Sequence, residues 1–568
     1  MQIKVNGKKI RAKKGQTILE ALEGIVEIPT LCYHPDLEIK ANCRVCLVEL
    51  KSGELVTSCS TEVEEGMEIF TDTPKVKKAR KINLEMIFGQ HIEKCNNCFW
   101  DKNCKLQEYS KKYQGKIARF KDRKKDRNIY TFGNAILFDE TKCIDCGNCL
   151  EVCDKQAVSF YEKTGKGAET RVRPTKDPKR DCTTCGQCIL HCPVGAIQGV
   201  SHLPEVMATL KDKDKIVVAQ TAPSIRVSIG EEFGLKPGEI VTKKLVGGIK
   251  ALGFDYVFDT NLGADITTFE EAGECYQRLK QGKMTLTSCC PAWVKFVEFN
   301  YPEFIKNIST TRSPQACLSS VIKTYFAEKK GIDPKKIVVV AVMPCVAKKF
   351  EAARPELTVK GLRATDYVIT TRGLAQLLRK NKIDLRKVKA RNFDSPLGRS
   401  SGGGAIYGAS GGVMESALRT ALEYYAGEKL RTINFKQVRG MAGIKKAEVK
   451  VQGKKVRIAV ANELGNAKKL LEAVKTGKEH FQAIEVMACP GGCIGGGGQP
   501  VPTNSKIRKA RAEALYQIDK KSKVRKAHEN PDLLRIYKEY INKTPGLAHQ
   551  LFHTRNYRQK RQGAKKIR

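Results

Sequence analysis

The spacing of the cysteines constrains this chain more than any other feature of its sequence. The 568 residues include 22 cysteines, and many of these are separated by only two or three residues. Such short intervals let several thiolates reach one metal centre. The N-terminus shows no export signal, so we expect a cytoplasmic protein, in which disulfides are rare. The cysteines are therefore expected to bind metal.

Two copies of the bacterial ferredoxin motif lie in the first half of the chain, and the second copy is followed by Pro193. In this motif the fourth cysteine of each copy ligates the cluster of the other copy. The motif thus predicts two [4Fe–4S] clusters. The expected ligands are Cys143, Cys146, Cys149 and Cys192 for one cluster, and Cys182, Cys185, Cys188 and Cys153 for the other.

Two further cysteine groups precede these copies. The segment QIKVNGKKIRA predicts a hairpin around its Asn-Gly pair, and a short helix, TILEAL, follows. The four cysteines after that helix suit a [2Fe–2S] cluster. In the next group a neutral imidazole replaces one thiolate of a [4Fe–4S] ligand set, although a zinc knuckle is the alternative when the group is taken alone. The first group is Cys32, Cys43, Cys46 and Cys59; the second is His91, Cys95, Cys98 and Cys104.

The second half has few cysteines and reads as alternating strands and helices. Short β-branched runs of this kind predict a parallel α/β architecture. Ligands of open α/β sheets bind at the carboxyl ends of strands. We therefore expect Ala222, Cys289, Cys345 and Cys489, each after a predicted strand, to converge on one cleft. The predicted strands are KIVVAQTA, YVFDTN, KMTLTS, KIVVVAVM, YVITT, VRIAVANE and FQAIEVMA.

The formal net charge of the chain is +41. A nucleic-acid binder is one interpretation, but no nucleic-acid module is visible. A solvated basic surface, able to attract an acidic carrier such as a ferredoxin, is favoured. No apolar run reaches the length of a membrane span. No G-x-G-x-x-G or P-loop match indicates a nucleotide site.

Three intact motifs in the second half carry a family resemblance: TSCCPAW at 287–293, MPCVAKKFE at 343–351 and EVMACPGGCIGGGGQP at 485–500. They resemble the diagnostic motifs of [FeFe]-hydrogenases. With the upstream cysteine groups, the resemblance covers essentially the whole chain and is closest to clostridial-type enzymes with four accessory clusters. The N-terminal part also resembles the large iron–sulfur subunit of complex I.

The resemblance implies reversible conversion of protons and electrons into H2 at an H-cluster. This cofactor joins a [4Fe–4S] subcluster to a di-iron subsite that carries CO, CN and an azadithiolate bridge and that separate maturation enzymes install. By resemblance, Cys493 also bridges the two parts. The implied subcluster ligands are Cys290, Cys345, Cys489 and Cys493.

The resemblance also assigns a proton relay and a lining of the di-iron subsite. The relay comprises Cys289, Glu271, Glu274 and Ser309, with Arg278 at its outer end. Without the resemblance, Glu271 and Glu274 would read as an exposed acidic helix face. Lys348 would donate to a cyanide ligand. The remaining lining residues are Met343, Met487, Ala222, Pro223, Ser224 and Gln315.

We therefore expect an α/β catalytic domain with parallel sheets, preceded by ubiquitin-like, His-ligated and ferredoxin-like cluster domains. The expected boundaries are 1–75 for the [2Fe–2S] domain, 76–125 for the His-ligated [4Fe–4S] domain, 126–205 for the 2[4Fe–4S] domain, 206–520 for the H-cluster domain and 521–568 for a basic helical arm.

Several functional alternatives remain open at this point. A complex I-like electron-wire subunit and an iron–sulfur assembly protein are disfavoured by the three intact motifs. Within the hydrogenase interpretation, the chain could work alone with ferredoxin. It could instead be the hydrogen-handling subunit of an NAD-linked, electron-bifurcating complex with diaphorase-type partners.

Overall fold

The computed structural model describes residues 1–89, 91, 104–116, 119–430 and 432–567. Among these residues, no helix combines the length and the apolar character that crossing a membrane requires. The first elements are β1 (Gln2–Val5), β2 (Lys8–Arg11), α1 (Ile18–Ala21), β3 (Leu47–Leu50), β4 (Leu55–Thr57) and β5 (Glu68–Phe70).

These strands form a five-stranded sheet in the order β2-β1-β5-β3-β4. The predicted hairpin is confirmed: Asn6 and Gly7 have φ values of 47° and 84°, as the two central residues of a type I′ turn require. Helix α1 begins with a capping box between Thr17 and Glu20. Ile18 on this helix packs into the apolar core of the sheet.

Two helices, α2 (Pro74–Gly89) and α3 (Lys105–Lys112), follow. The buried Glu85 of α2 accepts hydrogen bonds from the Lys116 backbone N–H and from Arg119 Nη1, both at 2.8 Å. This carboxylate thus ties the segment after α3 back to α2. His91 and Cys104 are buried. The predicted ligands Cys95 and Cys98 lie outside the described residues.

The ferredoxin-like segment repeats one arrangement twice. Helices α4 and α5 each begin after a left-handed glycine, Gly147 and Gly186, with φ of 81° and 75°. The two helices then pack against each other. The elements are β6 (Ile129–Phe132), β7 (Ile136–Asp139), α4 (Asn148–Lys155), β8 (Tyr161–Thr164), β9 (Arg171–Pro174), α5 (Gln187–His191) and β10 (Ile197–Gly199).

The α/β part begins at Leu203, and every strand predicted there is present. Its elements are α6 (Leu203–Thr209), β11 (Ile216–Thr221), α7 (Thr242–Ala251), β12 (Tyr256–Asp259), α8 (Thr260–Lys280), β13 (Thr285–Leu286), α9 (Pro291–Asn300), α10 (Pro314–Val321), α11 (Ala327–Lys330), β14 (Ile337–Met343), α12 (Ala347–Ala352), β15 (Thr358–Val359), β16 (Leu362–Arg363), β17 (Tyr367–Thr370), α13 (Thr371–Lys380), α14 (Gly402–Ile406), α15 (Gly412–Thr420), β18 (Ile444–Val451), β19 (Lys454–Asn462), α16 (Leu464–Lys475) and β20 (Ala483–Met487).

Only one of the two sheets in this part is wholly parallel, which corrects the expectation of parallel sheets. The order β12-β11-β14-β17 is parallel throughout. In β13-β20-β19-β18, the edge strand β18 runs antiparallel to β19. Lysines alternate with other residues along β18, which suits an edge strand that faces water. This pattern was not recognised as a strand.

The C-terminal segment contains α17 (Ser505–Lys521), α18 (Pro531–Glu539), α19 (Leu547–Phe552) and β21 (Ala564–Lys566). It is not helical throughout, since β21 pairs antiparallel with β6 of the ferredoxin-like segment. Arg508 of α17 also donates to Asp36 at 2.7 and 3.2 Å. The C-terminal segment thus contacts both the ferredoxin-like and the N-terminal parts of the chain.

Candidate active site

The cysteines predicted to bind the catalytic cluster lie where strands end. Cys290 follows β13 and precedes α9, Cys345 follows β14, and Cys489 follows β20. Burial raises the pKa of each thiol, and that of Cys493 in the adjoining glycine-rich loop. For Cys489 the next largest causes are the charges of Cys345, Cys290 and Cys493. The structure thus brings the four thiols together at the strand ends.

The loop that contains Cys493 requires glycine. Gly491 and Gly492 have φ of 71° and 97°, and a Cβ on Gly492 would lie 2.6 Å from the Ser410 backbone nitrogen. The Ala488 N–H donates to Cys290 Sγ at 3.5 Å. Converging thiols, an N–H donor to sulfur and close-passing backbone form the donor set of a [4Fe–4S] cluster. The residues present therefore fit that group.

The outer part of the predicted relay is connected by hydrogen bonds. Ser309 Oγ donates to Glu274 Oε2 at 2.7 Å, and Arg278 Nη2 lies 2.6 Å from Glu274 Oε1. The side chains of Glu274 and Arg278 are 14% and 16% exposed. The structure therefore places Arg278, Glu274 and Ser309 in sequence from the surface inwards.

Glu271, one turn before Glu274 on α8, is only 2% exposed. Its Oε1 accepts a hydrogen bond from the Ser288 backbone N–H at 3.2 Å, while Oε2 has no hydrogen-bond partner among the described residues. Burial raises the pKa of Glu271 to about 8, and the neighbouring Ser309 hydroxyl opposes that rise. A carboxyl with this pKa exchanges protons near neutral pH.

Cys289 lies at the inner end of these groups. It is 7% exposed, and burial raises the pKa of its thiol, followed by the charge of Glu271. The thiol therefore stays protonated, and the Glu271 carboxylate is close enough to affect it. Cys289, Met487 and Tyr407 pack in one buried cluster with Cys290 and Cys493.

Lys348 has a partner that the sequence interpretation did not assign. Its Nζ lies 3.1 and 3.0 Å from the two oxygens of Glu351 and 3.1 Å from the Cys289 carbonyl oxygen. Glu351 also accepts from Ser313 Oγ at 2.9 Å and from Gln315 Nε2 at 3.1 Å. The i, i+3 spacing within MPCVAKKFE was the available signal for the Lys348–Glu351 pair.

Gln499 is a second residue that the sequence interpretation missed. It is fully buried, and its Oε1 accepts from Ser228 Oγ (2.7 Å) and Thr371 Oγ1 (2.8 Å). Its Nε2 donates to Ser224 Oγ (3.2 Å) and to the Cys493 carbonyl (3.1 Å). All four hydrogen-bonding positions of the amide are used, and one of them holds the Cys493 backbone.

The other residues predicted to line the di-iron subsite are buried but are not all brought together. Met487 packs beside Cys289 and Cys493. Met343 and Ala222 belong instead to the apolar core around the wholly parallel sheet. Pro223 and Ser224 follow β11 at its carboxyl end.

The ferredoxin-like cysteines are grouped across the two copies. The charges of Cys143, Cys146 and Cys192 raise the pKa of Cys149, after the larger effect of burial. In the second group, burial raises the pKa of Cys153, which is followed by the backbone hydrogen bond from Phe160, acting in the opposite sense, and by the charges of Cys185 and Cys182. Cys192 therefore lies with the first copy and Cys153 with the second.

Equivalent backbone hydrogen bonds reach sulfur in both copies. The N–H of Asp145 donates to Cys143 Sγ, and that of Thr184 to Cys182 Sγ, each at 3.3 Å. Asp145 and Thr184 both have positive φ, 55° and 59°. Two loops with the same strained conformation and the same N–H···S contact are cradles for equivalent clusters.

The N-terminal cysteines form another group, and neighbouring groups approach one another. Cys59 is affected by the charges of Cys46, Cys32 and Cys43, and the pKa of Cys59 is raised. The charge of Cys43 also acts on the pKa of Cys146, that of Cys188 on Cys149, and that of Cys185 on Cys489. These contacts connect the four thiol groups in a row that ends at the catalytic pocket.

Comparisons with known proteins agree with this arrangement. The family model "Iron only hydrogenase large subunit, C-terminal domain" matches residues 215–497, and that for the iron hydrogenase small subunit matches 505–560. A 2Fe-2S iron-sulfur cluster binding domain matches 1–74, and a 4Fe-4S dicluster domain matches 142–196.

Relatives span nearly the whole chain. The NADP-reducing hydrogenase subunit HndD of Solidesulfovibrio fructosivorans is 40% identical over 99% of this chain and 99% of its own length. Iron hydrogenase 1 of Clostridium pasteurianum is 39% identical over 97% of this chain and 98% of its own. The cytosolic Fe-S cluster assembly factor narfl of Danio rerio is 30% identical over 62% of this chain and 88% of its own.

A solved structure of apo [FeFe]-hydrogenase HydA1 from Chlamydomonas reinhardtii superimposes with a TM-score of 0.57 and 39% identity, over 63% of this chain and 99% of that chain. The fold, the intact motifs and the full-length relatives agree. The chain belongs to the iron-only, or [FeFe], hydrogenase family, and is an oxidoreductase that acts on H2.

Proposed function

We propose that this chain catalyses the reversible reaction of two protons and two electrons to H2, with protons passing through Glu274, Ser309, Glu271 and Cys289. The observation that carries this proposal is the connection between two features. A pocket of four thiols adjoins Cys289, and carboxylates with a hydroxyl between them lead from Cys289 to the surface. Such a connection suits a buried redox centre that consumes or releases protons.

The proposed cofactors follow the thiol groups. One [2Fe–2S] cluster belongs to Cys32, Cys43, Cys46 and Cys59, and two [4Fe–4S] clusters belong to the crosswise groups of the ferredoxin-like segment. A third [4Fe–4S] cluster belongs to His91, Cys95, Cys98 and Cys104. The H-cluster belongs to Cys290, Cys345, Cys489 and Cys493; when bound, it supplies the iron and the basic amine at which H–H is made or broken.

Each relay residue has a distinct task in this proposal. Cys289, kept neutral by burial, donates or accepts one proton as a thiol. Glu271, with a pKa of about 8, reloads Cys289. The Ser309 hydroxyl both donates and accepts, so it moves a proton between Glu271 and Glu274. Arg278 holds Glu274 in place through their ion pair.

The lining residues would orient the di-iron subsite. Lys348 has a buried ammonium, which is costly unless an anion compensates it, and Glu351 does so in this structure. A cyanide ligand beside Lys348 would share that role. The half-buried thiols, Gln315 and Met487 would complete the enclosure.

Electrons would follow the row of thiol groups. Cys43 beside Cys146, Cys149 beside Cys188, and Cys185 beside Cys489 give the order of transfer. We also propose the predicted organisation of the chain, including a ubiquitin-like N-terminal domain and a separate C-terminal segment. Thiol-rich clusters favour a reducing compartment such as the cytoplasm.

Two electron partners are proposed as alternatives. A charge of +41 would attract an acidic ferredoxin. The full-length relative named as an NADP-reducing hydrogenase subunit favours a complex in which diaphorase-type subunits supply electrons. Anaerobic co-purification separates them: bound flavin-containing subunits favour the complex, and a lone chain active with reduced ferredoxin favours the carrier.

The proposed reaction is tested by H2 evolution from reduced methyl viologen, with protein prepared anaerobically and supplied with the di-iron cofactor. Rapid evolution is the expected result. A protein with a full iron content and an inserted cofactor that evolves no H2 would instead act in electron transfer or cluster assembly, as the narfl similarity would allow.

A further inference from the structure

A network of hydrogen bonds connects Glu274, the outer carboxylate of the proposed relay, with the C-terminal segment. The Thr310 backbone N–H donates to both oxygens of Glu274, at 3.1 and 3.0 Å. The Thr310 hydroxyl lies 3.3 Å from Glu274 Oε2 and 2.8 Å from His553 Nδ1. The other ring nitrogen of His553, Nε2, lies 3.1 Å from Glu270 Oε2. A single hydroxyl therefore joins the imidazole to Glu274.

The backbone holds the imidazole at this place. The Thr554 N–H donates to the Thr310 carbonyl at 2.7 Å, and Arg312 Nε donates to the His553 carbonyl at 2.9 Å. An antiparallel bridge pairs His553 with Thr311. The contact between His553 and Thr310 is therefore part of a paired backbone segment, which fixes the distance from the ring to the hydroxyl.

Arg278, the outermost group of the relay, cannot itself move protons. Its guanidinium pairs with Glu274 at 2.6 Å, but a guanidinium stays protonated at every physiological pH. Imidazole is the side chain suited to exchanging protons between pH 5 and 8. Within the described part of the chain, His553 is the one histidine with a hydrogen bond into the group around Glu274. Its side chain is 13% exposed, so water reaches it.

We propose that His553 exchanges protons between solvent and Glu274, an inference that rests on the proposed relay. In the imidazolium, Nδ1–H donates to Thr310 Oγ1, and the Thr310 hydroxyl donates to Glu274 Oε2. The Nδ1–H bond breaks while Thr310 passes its own proton to Glu274. The products are a neutral imidazole, an intact threonine and a protonated carboxyl. Solvent then reprotonates the ring, and the steps reverse when H2 is oxidised.

The groups around His553 suit this cycle. Glu270 accepts from Nε2–H and favours the imidazolium, and the Tyr537 hydroxyl donates to the other oxygen of Glu270. The His549 ring stacks on His553 with centroids 5.1 Å apart. The charged and titratable groups that face the ring or its backbone are Glu270, Glu274, Arg312, Tyr537 and His549.

The test compares His553→Gln with a matched control, His549→Gln. His549 lies on the same segment and is exposed, and it makes no hydrogen bond to Thr310 or Glu274 in the described structure. We expect H2 evolution by the full matured chain to fall about tenfold in H553Q and to remain within about twofold in H549Q. Free imidazole should restore most of the lost turnover, and the solvent isotope effect should rise in H553Q.

Thr310→Val provides a second variant, which keeps the ring but removes the hydroxyl that joins it to Glu274. It should lose about as much turnover as H553Q, without rescue by imidazole, and the double variant should lose no more than either. If H553Q fails to retain iron, T310V alone decides between the outcomes.

Normal turnover in H553Q, or normal turnover in T310V, would overturn the assignment. So would a loss in H553Q that imidazole does not restore, or losses that add in the double variant, because these outcomes indicate a structural role. Cys289→Ala separates this proposal from the relay itself: an active C289A enzyme refutes the relay, whereas an inactive C289A enzyme beside a normal H553Q enzyme refutes only the role of His553.

Discussion

Replacing Glu271 by Gln should change activity and stability in opposite directions. Glutamine preserves the shape of the side chain and can still accept the hydrogen bond from the Ser288 N–H, but it cannot release a proton. A general acid or base contributes roughly 10²- to 10⁴-fold to a rate, which corresponds to about 2.7–5.5 kcal/mol in the barrier. We therefore expect turnover by E271Q to fall at least about a hundredfold.

The expected gain in stability follows from the pKa of the buried carboxyl. That pKa is raised from 4.5 to about 8. Well below pH 4.5 the carboxyl is protonated in both the folded and the unfolded chain, so burial of its charge costs nothing. Between pH 4.5 and 8 the unfolded chain ionises and the folded chain does not, so the folded state loses stability progressively, by roughly 5 kcal/mol above pH 8.

Glutamine has no such cost. The melting temperature of E271Q should therefore exceed that of the wild type at pH 8, and the difference should shrink as the pH falls towards 5. Calorimetry of matched anaerobic samples measures this difference, and viologen-dependent H2 evolution measures the turnover. Glu274→Gln is the control: it removes the ion pair with Arg278 and should lose turnover without gaining stability at high pH. An E271Q enzyme with normal turnover, or with a melting temperature that does not diverge from the wild type as the pH rises, would refute this reasoning.

Three further changes probe the metal-binding architecture. Gly492→Ala would place a Cβ 2.6 Å from Ser410 N and should abolish iron binding in the catalytic pocket while leaving accessory iron in place, as EPR of the reduced protein would show; a normal catalytic signal would contradict this. Gln499→Leu removes the donor to the Cys493 carbonyl and leaves buried partners unpaired, at about 1–3 kcal/mol each; it should lower the melting temperature and shift the infrared bands of the CO and CN ligands, whereas unshifted bands would exclude a positioning role. Cys192→Ala should remove the iron of one accessory cluster, with a loss in viologen-dependent turnover; an unchanged iron content would show that Cys192 is not a ligand.

Sequence patterns predicted the parts of the fold that depend on local chemistry. The strands that lead to Cys289, Cys345 and Cys489 are runs of buried β-branched residues, and each is present. The crosswise grouping of Cys153 and Cys192 follows from the ferredoxin motif, and the structure places these thiols accordingly.

Other features depend on contacts between distant segments and had no local signal. His553 reaches Thr310 only because the C-terminal segment pairs with the loop after Ser309. Gln499 joins three segments that are far apart in sequence. Strand β18 was missed because its lysines suit an exposed edge, and the wholly parallel expectation failed with it.

The most direct test of the central claim is turnover by Cys289→Ala, compared with Cys317→Ala, in fully matured protein. Cys317 is equally buried in the apolar core but lies outside the relay, so it controls for the loss of a buried thiol. The account predicts that both variants keep a full iron content and an inserted di-iron cofactor, and that only C289A loses nearly all H2 evolution. Normal H2 evolution by C289A, or loss of its iron, would contradict the proposal that Cys289 delivers protons to the catalytic centre.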